Sequence, residues 1–289
     1  MFQRILFPVD FSDQSRLIAP FVRVMAEHEG AEVTLLHVIG RTPGKTCPDS
    51  KPAPPEEHAH FVDRLRHFGR KFLGPDSDEE KPFWNTAVET GRPGERIVAY
   101  AAANQTDLIM IGSFGHGEYI PNILGHEAVR TLNEAPCPVW VTGHAEHTNC
   151  RPPRPQPETV LTALDLGPSS SCLLHFTRSF SEEWHVRPTL IHSVSMPMAV
   201  PMTRFDYEYR DYLIGRGQAG LKRLQHEAGT DYPVCIAPGE IAGLIRGSVL
   251  RQEADLLIMG RGKTRDSRGR LNSHSLSIIR ECPCPVLTV

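Results

Sequence analysis

Apolar residues in the first half of the chain fall in short unbroken runs, separated by longer stretches of helical period. Arg4 to Val9 is such a run, with the length and continuity of a strand buried on both faces. Ser12 is placed to cap a helix over Asp13 to Glu29 that stops at Gly30, and Pro20 inside it predicts a kink or a break. Glu32 to Ile39 reads as a second strand. Residues 40–55, rich in Gly, Pro and Lys, read as a long loop, and Glu56 to Leu73 as a charged helix. Strands over Thr86 to Thr90, Leu108 to Ile111 and Val139 to Thr142 follow, with helices over Gly94 to Asn104 and Gly125 to Asn133 between them. Strand and helix alternating in this order predict an α/β fold, a doubly wound five-stranded parallel sheet. Such sheets bind ligands beyond the carboxyl ends of their strands, where the strand order reverses. Asp10 and Gly112 both fall just past strand ends, on that one rim.

The pattern occurs twice. Leu6-Phe7-Pro8-Val9-Asp10 returns as Leu161-Thr162-Ala163-Leu164-Asp165, with the aspartates 155 positions apart. Val33-Thr34-Leu35-Leu36-His37-Val38 returns at the same offset, His192 answering His37. Asp107-Leu108-Ile109-Met110-Ile111-Gly112 matches Asp255 to Gly260 at an offset of 148, and Cys137-Pro138-Val139 matches Cys284-Pro285-Val286 at 147. Four blocks in one order mean tandem copies of one unit. Four prolines between Pro152 and Pro157 favour an extended connector. The expected organisation is therefore a first domain over 1–143, a proline-rich linker over 144–157 and a second domain over 158–289.

Composition narrows the classes. A hydrophobic share of 40% and a charged share of 22% are those of a globular protein, and a net charge of -3 gives no pull toward nucleic acid. No run approaches a membrane span, and the strand starting by Arg4 leaves no room for a signal peptide, so a cytoplasmic protein is expected. The seven cysteines, odd in number and without a CxxC pair, read as reduced thiols.

After the fourth strand, Gly112-Ser113-Phe114-Gly115 is followed by nine residues and then Gly125-His126-Glu127. Glycines let backbone come close to a ligand, and amides leading into a helix N-terminus favour phosphate oxygens. Asp10 is suited to accept from a ribose hydroxyl or an adenine amine. The spacing also serves a plainer reading, in which the glycines shape a turn and Asp10 caps a helix. With Ile5-Leu6-Phe7-Pro8-Val9-Asp10, Leu35-Leu36-His37-Val38, Ala135-Pro136-Cys137-Pro138-Val139 and the Gly-x-x-Gly-x9-Gly loop, each copy resembles the universal stress proteins, and the loop resembles that of their ATP-binding branch.

That resemblance implies an adenine-nucleotide site, with ATP and Mg2+ as ligands. Pro8, Val9 and Asp10 would line the adenosine part, and Val38 and Ile111 the adenine walls. Gly112, Gly115, Gly125, His126 and Glu127 would surround the phosphates through backbone groups. The branch carries Ser or Thr after the final glycine, where this chain has His126. The resemblance further implies that the closing strands, Pro138 to Thr142 and Pro285 to Val289, pair within one chain as a pseudo-dimer, with homodimerisation open.

The second copy departs further. Its candidates are Asp165, Gly260, Gly262 and Ser273, but Asn272 replaces the final glycine, Ser193 replaces Val38, and a basic loop runs from Lys263 to Arg270. Nucleotide is therefore expected in the first copy.

Other motifs fail. Gly262-Lys263-Thr264 ends like a Walker loop, but its required earlier glycine falls on Leu257. Ser113 lacks the frame of a hydrolase elbow, and no dinucleotide fingerprint follows the first strand. His58 and His60 beside Glu56, Glu57 and Asp63 read as a solvated helix face before a metal site, and His37 and His192 as satisfied core or rim histidines. No nucleophile, base and orienting partner assemble, so at most slow ATP hydrolysis is expected. The sequence thus predicts a nucleotide-binding regulatory module. The competing expectation is a ligand-free module for dimerisation and partner docking, and a hydrolase of the wider adenine-nucleotide group ranks third.

Overall fold

A computed structural model describes residues 1–40, 54–74, 83–113, 124–142, 154–194, 204–261 and 273–289. The chain divides into two compact units, Phe2–Thr142 and Gly143–Val289. The first contains β1 (Arg4–Pro8), α1 (Asp13–Glu29), β2 (Glu32–Gly40), α2 (Pro55–Phe72), β3 (Trp84–Gly91), α3 (Pro93–Ala103), β4 (Leu108–Gly112), α4 (His126–Glu134) and β5 (Val139–Thr142). The second contains β6 (Val160–Ala163), α5 (Ser170–Trp184), β7 (Thr189–Val194), α6 (Arg204–Ala228), β8 (Val234–Pro238), α7 (Ile241–Gln252), β9 (Leu256–Met259), α8 (Ser273–Glu281) and β10 (Val286–Thr288).

Within the first unit the strands lie in the order β3-β2-β1-β4-β5, all parallel. Within the second the order is β8-β7-β6-β9-β10, again all parallel. Each unit is thus the doubly wound five-stranded sheet that the apolar runs predict. In each, the order reverses beside the first strand, between β1 and β4 and between β6 and β9. The central strands carry the core. Leu6, Phe7, Leu108 and Ile109 are fully buried, as are Leu161, Leu256, Leu257 and Ile258.

Both units anchor the base of the central strand in one way. Asp107 accepts the amides of Gln3 and Arg4 at 2.8 and 3.1 Å. Asp255 accepts those of Arg154, Glu158 and Thr159 at 3.1–3.2 Å. A carboxylate therefore satisfies the amides that precede the ladder, which accounts for an aspartate heading both copies of the β4 block. The same bonds hold the last residues of the expected linker against the second unit, while residues 144–153 of it lie outside the described residues.

Two elements differ from expectation. α1 runs unbroken through Pro20, which lies on its exposed side. On that side a carbonyl left without its helical donor is open to water, so the proline does not end the helix. β3 is longer than the run Thr86 to Thr90 because it pairs with nearly all of β2, from Val33↔Trp84 to Gly40↔Gly91. Trp84 is buried and lies flat against Gly69 of α2, where a Cβ would come within 2.8 Å of the indole. Five cysteines among the described residues are free thiols. Cys282 and Cys284 are buried with sulfurs 3.6 Å apart, and burial pushes the Cys284 thiol well above its ordinary range.

Two measurements follow from this packing. Gly69→Ala forces the Trp84 indole to move and should cost about 1–3 kcal/mol in chemical denaturation. Alkylation with iodoacetamide at mildly alkaline pH should mark the exposed Cys172 in the native protein. Cys282 and Cys284 should react only after denaturant is added, as read by mass spectrometry.

Candidate functional site

The first strand of each unit ends in a turn built the same way. Pro8 carries no amide, and the Val9 amide extends the ladder by donating to the Leu36 carbonyl at 2.8 Å. His37 Nδ1 lies 2.7 Å from the Val9 carbonyl. A carbonyl only accepts, so Nδ1 carries the proton. Phe11 then takes a left-handed backbone, φ 65°, and Ser12 caps α1. Asp10 Oδ1 gathers the turn, accepting from the Ser12 amide at 2.9 Å, Ser12 Oγ at 2.6 Å and Ser15 Oγ at 2.7 Å.

The second unit repeats this geometry. Leu164 donates to Ile191, His192 Nδ1 donates to the Leu164 carbonyl at 2.8 Å, and Leu166 has φ 57°. Asp165 accepts from the Gly167 amide and from Ser170 Oγ, both at 2.8 Å. Ser15 and Ser170, 155 positions apart, were not singled out by motif, although the self-alignment brings them into register. His37 and His192 are satisfied rim histidines that tie the first strand to the second.

Above the first turn opens a cleft of about 710 Å³, walled by the ends of β1, β2 and β4 and by α2, α3 and α4. Nine of the ten residues expected at the first site line it. The tenth, Gly115, lies outside the described residues. Val38 and the buried Ile111 form apolar wall, and the Gly125 amide donates to the Ser113 carbonyl at 2.8 Å, closing the loop behind α4. Gly125 offers α4 no side-chain cap, and among the described residues no side chain accepts from the first amides of that helix. His126 and Glu127 are exposed at this end.

Glu127 also acts on its neighbour helix. Its Oε2 accepts the Gly94 amide at 2.5 Å, capping α3, while Arg130 pairs with Glu95 at 2.8 Å. A Cβ on Gly94 would stand 2.7 Å from that carboxylate oxygen, so the clasp requires glycine. At the corresponding positions of the second unit, 148 and 147 residues on, Ala242 stands for Gly94 and His274 for Glu127. Without the carboxylate, the methyl is accommodated and buried.

Four further residues shape the first cleft that motif reading did not single out as site residues. Phe61 stacks on His37 with centroids 4.3 Å apart, and Phe11 meets His37 at 4.9 Å with the rings tilted by 43°. The Arg64 guanidinium lies 4.0 Å above the Phe11 ring. Phe61 and Arg64 sit on a charged helix whose side-chain direction emerges only once α2 is docked, so no local signal marks them.

The second cleft, about 600 Å³, is lined by Asp165, His192, Ser193, Glu240, Gly260 and His274 among others. Ser193, where the first unit has Val38, donates Oγ to the Gly239 carbonyl at 2.7 Å, so its hydroxyl serves the loop after β8. Ser273 opens α8, with its side chain outside the described residues, as are Gly262 and the basic loop from Lys263 to Arg270.

A doubly wound α/β unit with a cleft at its switch point, present twice in tandem, defines the class. The chain belongs to the universal stress protein family, whose family model matches residues 1–143 and again 157–289. A universal stress protein of Thermus aquaticus is 29% identical over 139 residues, covering 48% of this chain and 97% of that protein. One from Methanocaldococcus jannaschii is 26% identical over 145 residues, covering 49% and 82%. Among solved structures, a universal stress protein from Archaeoglobus fulgidus superposes with a TM-score of 0.62 at 20% identity, over 99% of this chain and 95% of that one. A functionally unknown protein from Pseudomonas aeruginosa gives 0.68 at 17%, over 100% and 92%. At these identities the structures speak to the fold.

The α3–α4 clasp yields a double-mutant test. Gly94→Ala should lower stability by about 1–3 kcal/mol, since it displaces a charge-assisted cap. Adding Glu127→Ala should restore part of that loss, a non-additivity measurable by denaturant titration.

Proposed function

We propose that this universal stress protein binds an adenine nucleotide, ATP first among them, in the cleft of its first unit and serves as a regulatory module of a stress response. One observation carries the reading. Asp10, the apolar walls of Val38 and Ile111, and the N-terminus of α4 without a side-chain cap all border one cleft. Its volume suits a nucleotide-sized ligand. A purine packs on apolar wall, a carboxylate accepts from ribose hydroxyls or an adenine amine, and helix-terminal amides hold phosphate oxygens. Mg2+ would enter with the phosphates, whose charge it neutralises. Slow hydrolysis and the expected cytoplasmic setting belong to the same reading.

The competing reading is a nucleotide-free docking module. What favours it is that Asp10 Oδ1 already accepts three hydrogen bonds from Ser12 and Ser15. Calorimetric titration with ATP separates the two. The wild type should release heat, and Val38→Trp, which fills the cleft, should weaken binding by roughly tenfold or more. Asp10→Asn should weaken it about tenfold. No heat at millimolar ATP decides for docking, and equal binding by all three proteins overturns the placement of the nucleotide in this cleft.

A further inference from the structure

The positions of Leu65 and Phe68, buried against the sheet, set the rotation of α2. Phe61 and Arg64 lie on the same stripe, at the i and i+3 positions before them, nearer the helix start. Where Leu65 and Phe68 meet the sheet, Phe61 and Arg64 reach past the strand ends and line the first cleft. Phe61 stacks on His37, and the Arg64 guanidinium lies 4.0 Å over the Phe11 centroid and 5.4 Å from that of Phe61. A guanidinium lying on a ring face keeps its N–H donors in its own plane, open to an acceptor at its edge. Among the described residues, no carboxylate pairs with Arg64 and no hydrogen bond engages it. Asp63 beside it pairs with Arg66. Two carboxylates of the cleft already serve the fold, Asp10 in its turn and Glu127 on Gly94. Glu57, two turns before Arg64 on α2, and His126 also border the cleft, and Arg64 is its one guanidinium among the described residues.

The second unit supplies an internal comparison. There α6 is placed by the buried Leu221 as α2 is by Leu65. Four and one positions earlier stand Gly217 and Gly220, where α2 has Phe61 and Arg64. A Cβ on Gly217 would lie 3.1 Å from His192, and one on Gly220 3.0 Å from Leu166. His192 and Leu166 are the counterparts of His37 and Phe11. The second unit therefore closes its helix directly onto this wall, while the first inserts an aromatic platform carrying a cation.

We propose that Arg64, held on Phe11 and Phe61, is the anion-recognition residue of the first cleft, so that its ligand is a phosphorylated nucleoside and not the nucleoside alone. This rests on the nucleotide reading above and adds its charge selectivity. A planar fork with open donors matches phosphate oxygens bidentately, and its contact weakens with added salt.

Calorimetry on the full chain with ATP, adenosine and inorganic tripolyphosphate tests it, comparing wild type with Arg64→Gln. Arg64 is exposed, so the variant should melt as the wild type does. Expected is a loss of about tenfold for ATP and tripolyphosphate, with adenosine changed by less than about twofold. Phe61→Leu, which keeps the charge and removes part of the platform, should give an intermediate loss for ATP and tripolyphosphate. Equal ATP binding by Arg64→Gln and wild type, or an equal loss for adenosine, overturns the role of Arg64 and leaves the nucleotide reading standing. Arg64-dependent binding of tripolyphosphate without any binding of adenosine or ATP overturns the nucleotide reading and keeps the anion site. No binding of any of the three overturns both.

Discussion

The turn after the first strand carries the architecture of each unit. A strand buried on both faces must hand the chain to a helix within a few residues, beside the point where the strand order reverses. The backbone makes that exchange through one left-handed residue, Phe11 or Leu166, a conformation that side chains rarely adopt unaided. Hydrogen bonds to the strand-end aspartate hold it, and a histidine from the neighbouring strand ties down the carbonyl just before that aspartate. This turn borders the cleft, which opens beyond β1 and β4 where the strand order reverses.

On that shared frame the two copies have diverged in linked pairs of positions. Gly94 accompanies Glu127, because the carboxylate needs an open amide, and Ala242 accompanies His274, where no clasp forms. Phe61 and Arg64 line the first cleft, whereas at the matching positions Gly217 and Gly220 let α6 lie directly against His192 and Leu166. Val38 presents apolar surface where the Ser193 hydroxyl fastens a loop. Each difference is intelligible as a contact between two elements. Together they leave two clefts of similar volume with dissimilar walls.

The element order, the duplication and the strand-end residues of the first cleft were legible along the chain, while Phe61 and Arg64 of α2 were not. Strand and helix have different periods, and a repeat exposes itself by alignment. Asp10 and Gly112 could be placed on one rim because residues just past parallel strands must lie there. The length of β3 was not legible, since its ladder with β2 and the Trp84–Gly69 contact recruit Trp84 and Gly91 into a strand that local pattern ends sooner. Nor was the continuity of α1 through Pro20, which depends on that residue facing solvent.

By itself, the sequence determined the class of fold, its doubling and the strand-end positions from which a site is built, because these follow from periodicity and from backbone chemistry repeated at fixed spacing. Only the tertiary structure decided what those positions do. It turned the strand-end aspartates into the holders of a turn, made Glu127 a cap for another helix, and laid Arg64 on an aromatic platform over the cleft. The physical reason is that a side chain's role depends on which donor, ring or carboxylate stands within a few ångströms of it. That neighbour comes from an element dozens of residues away in the chain, beyond the reach of any local pattern.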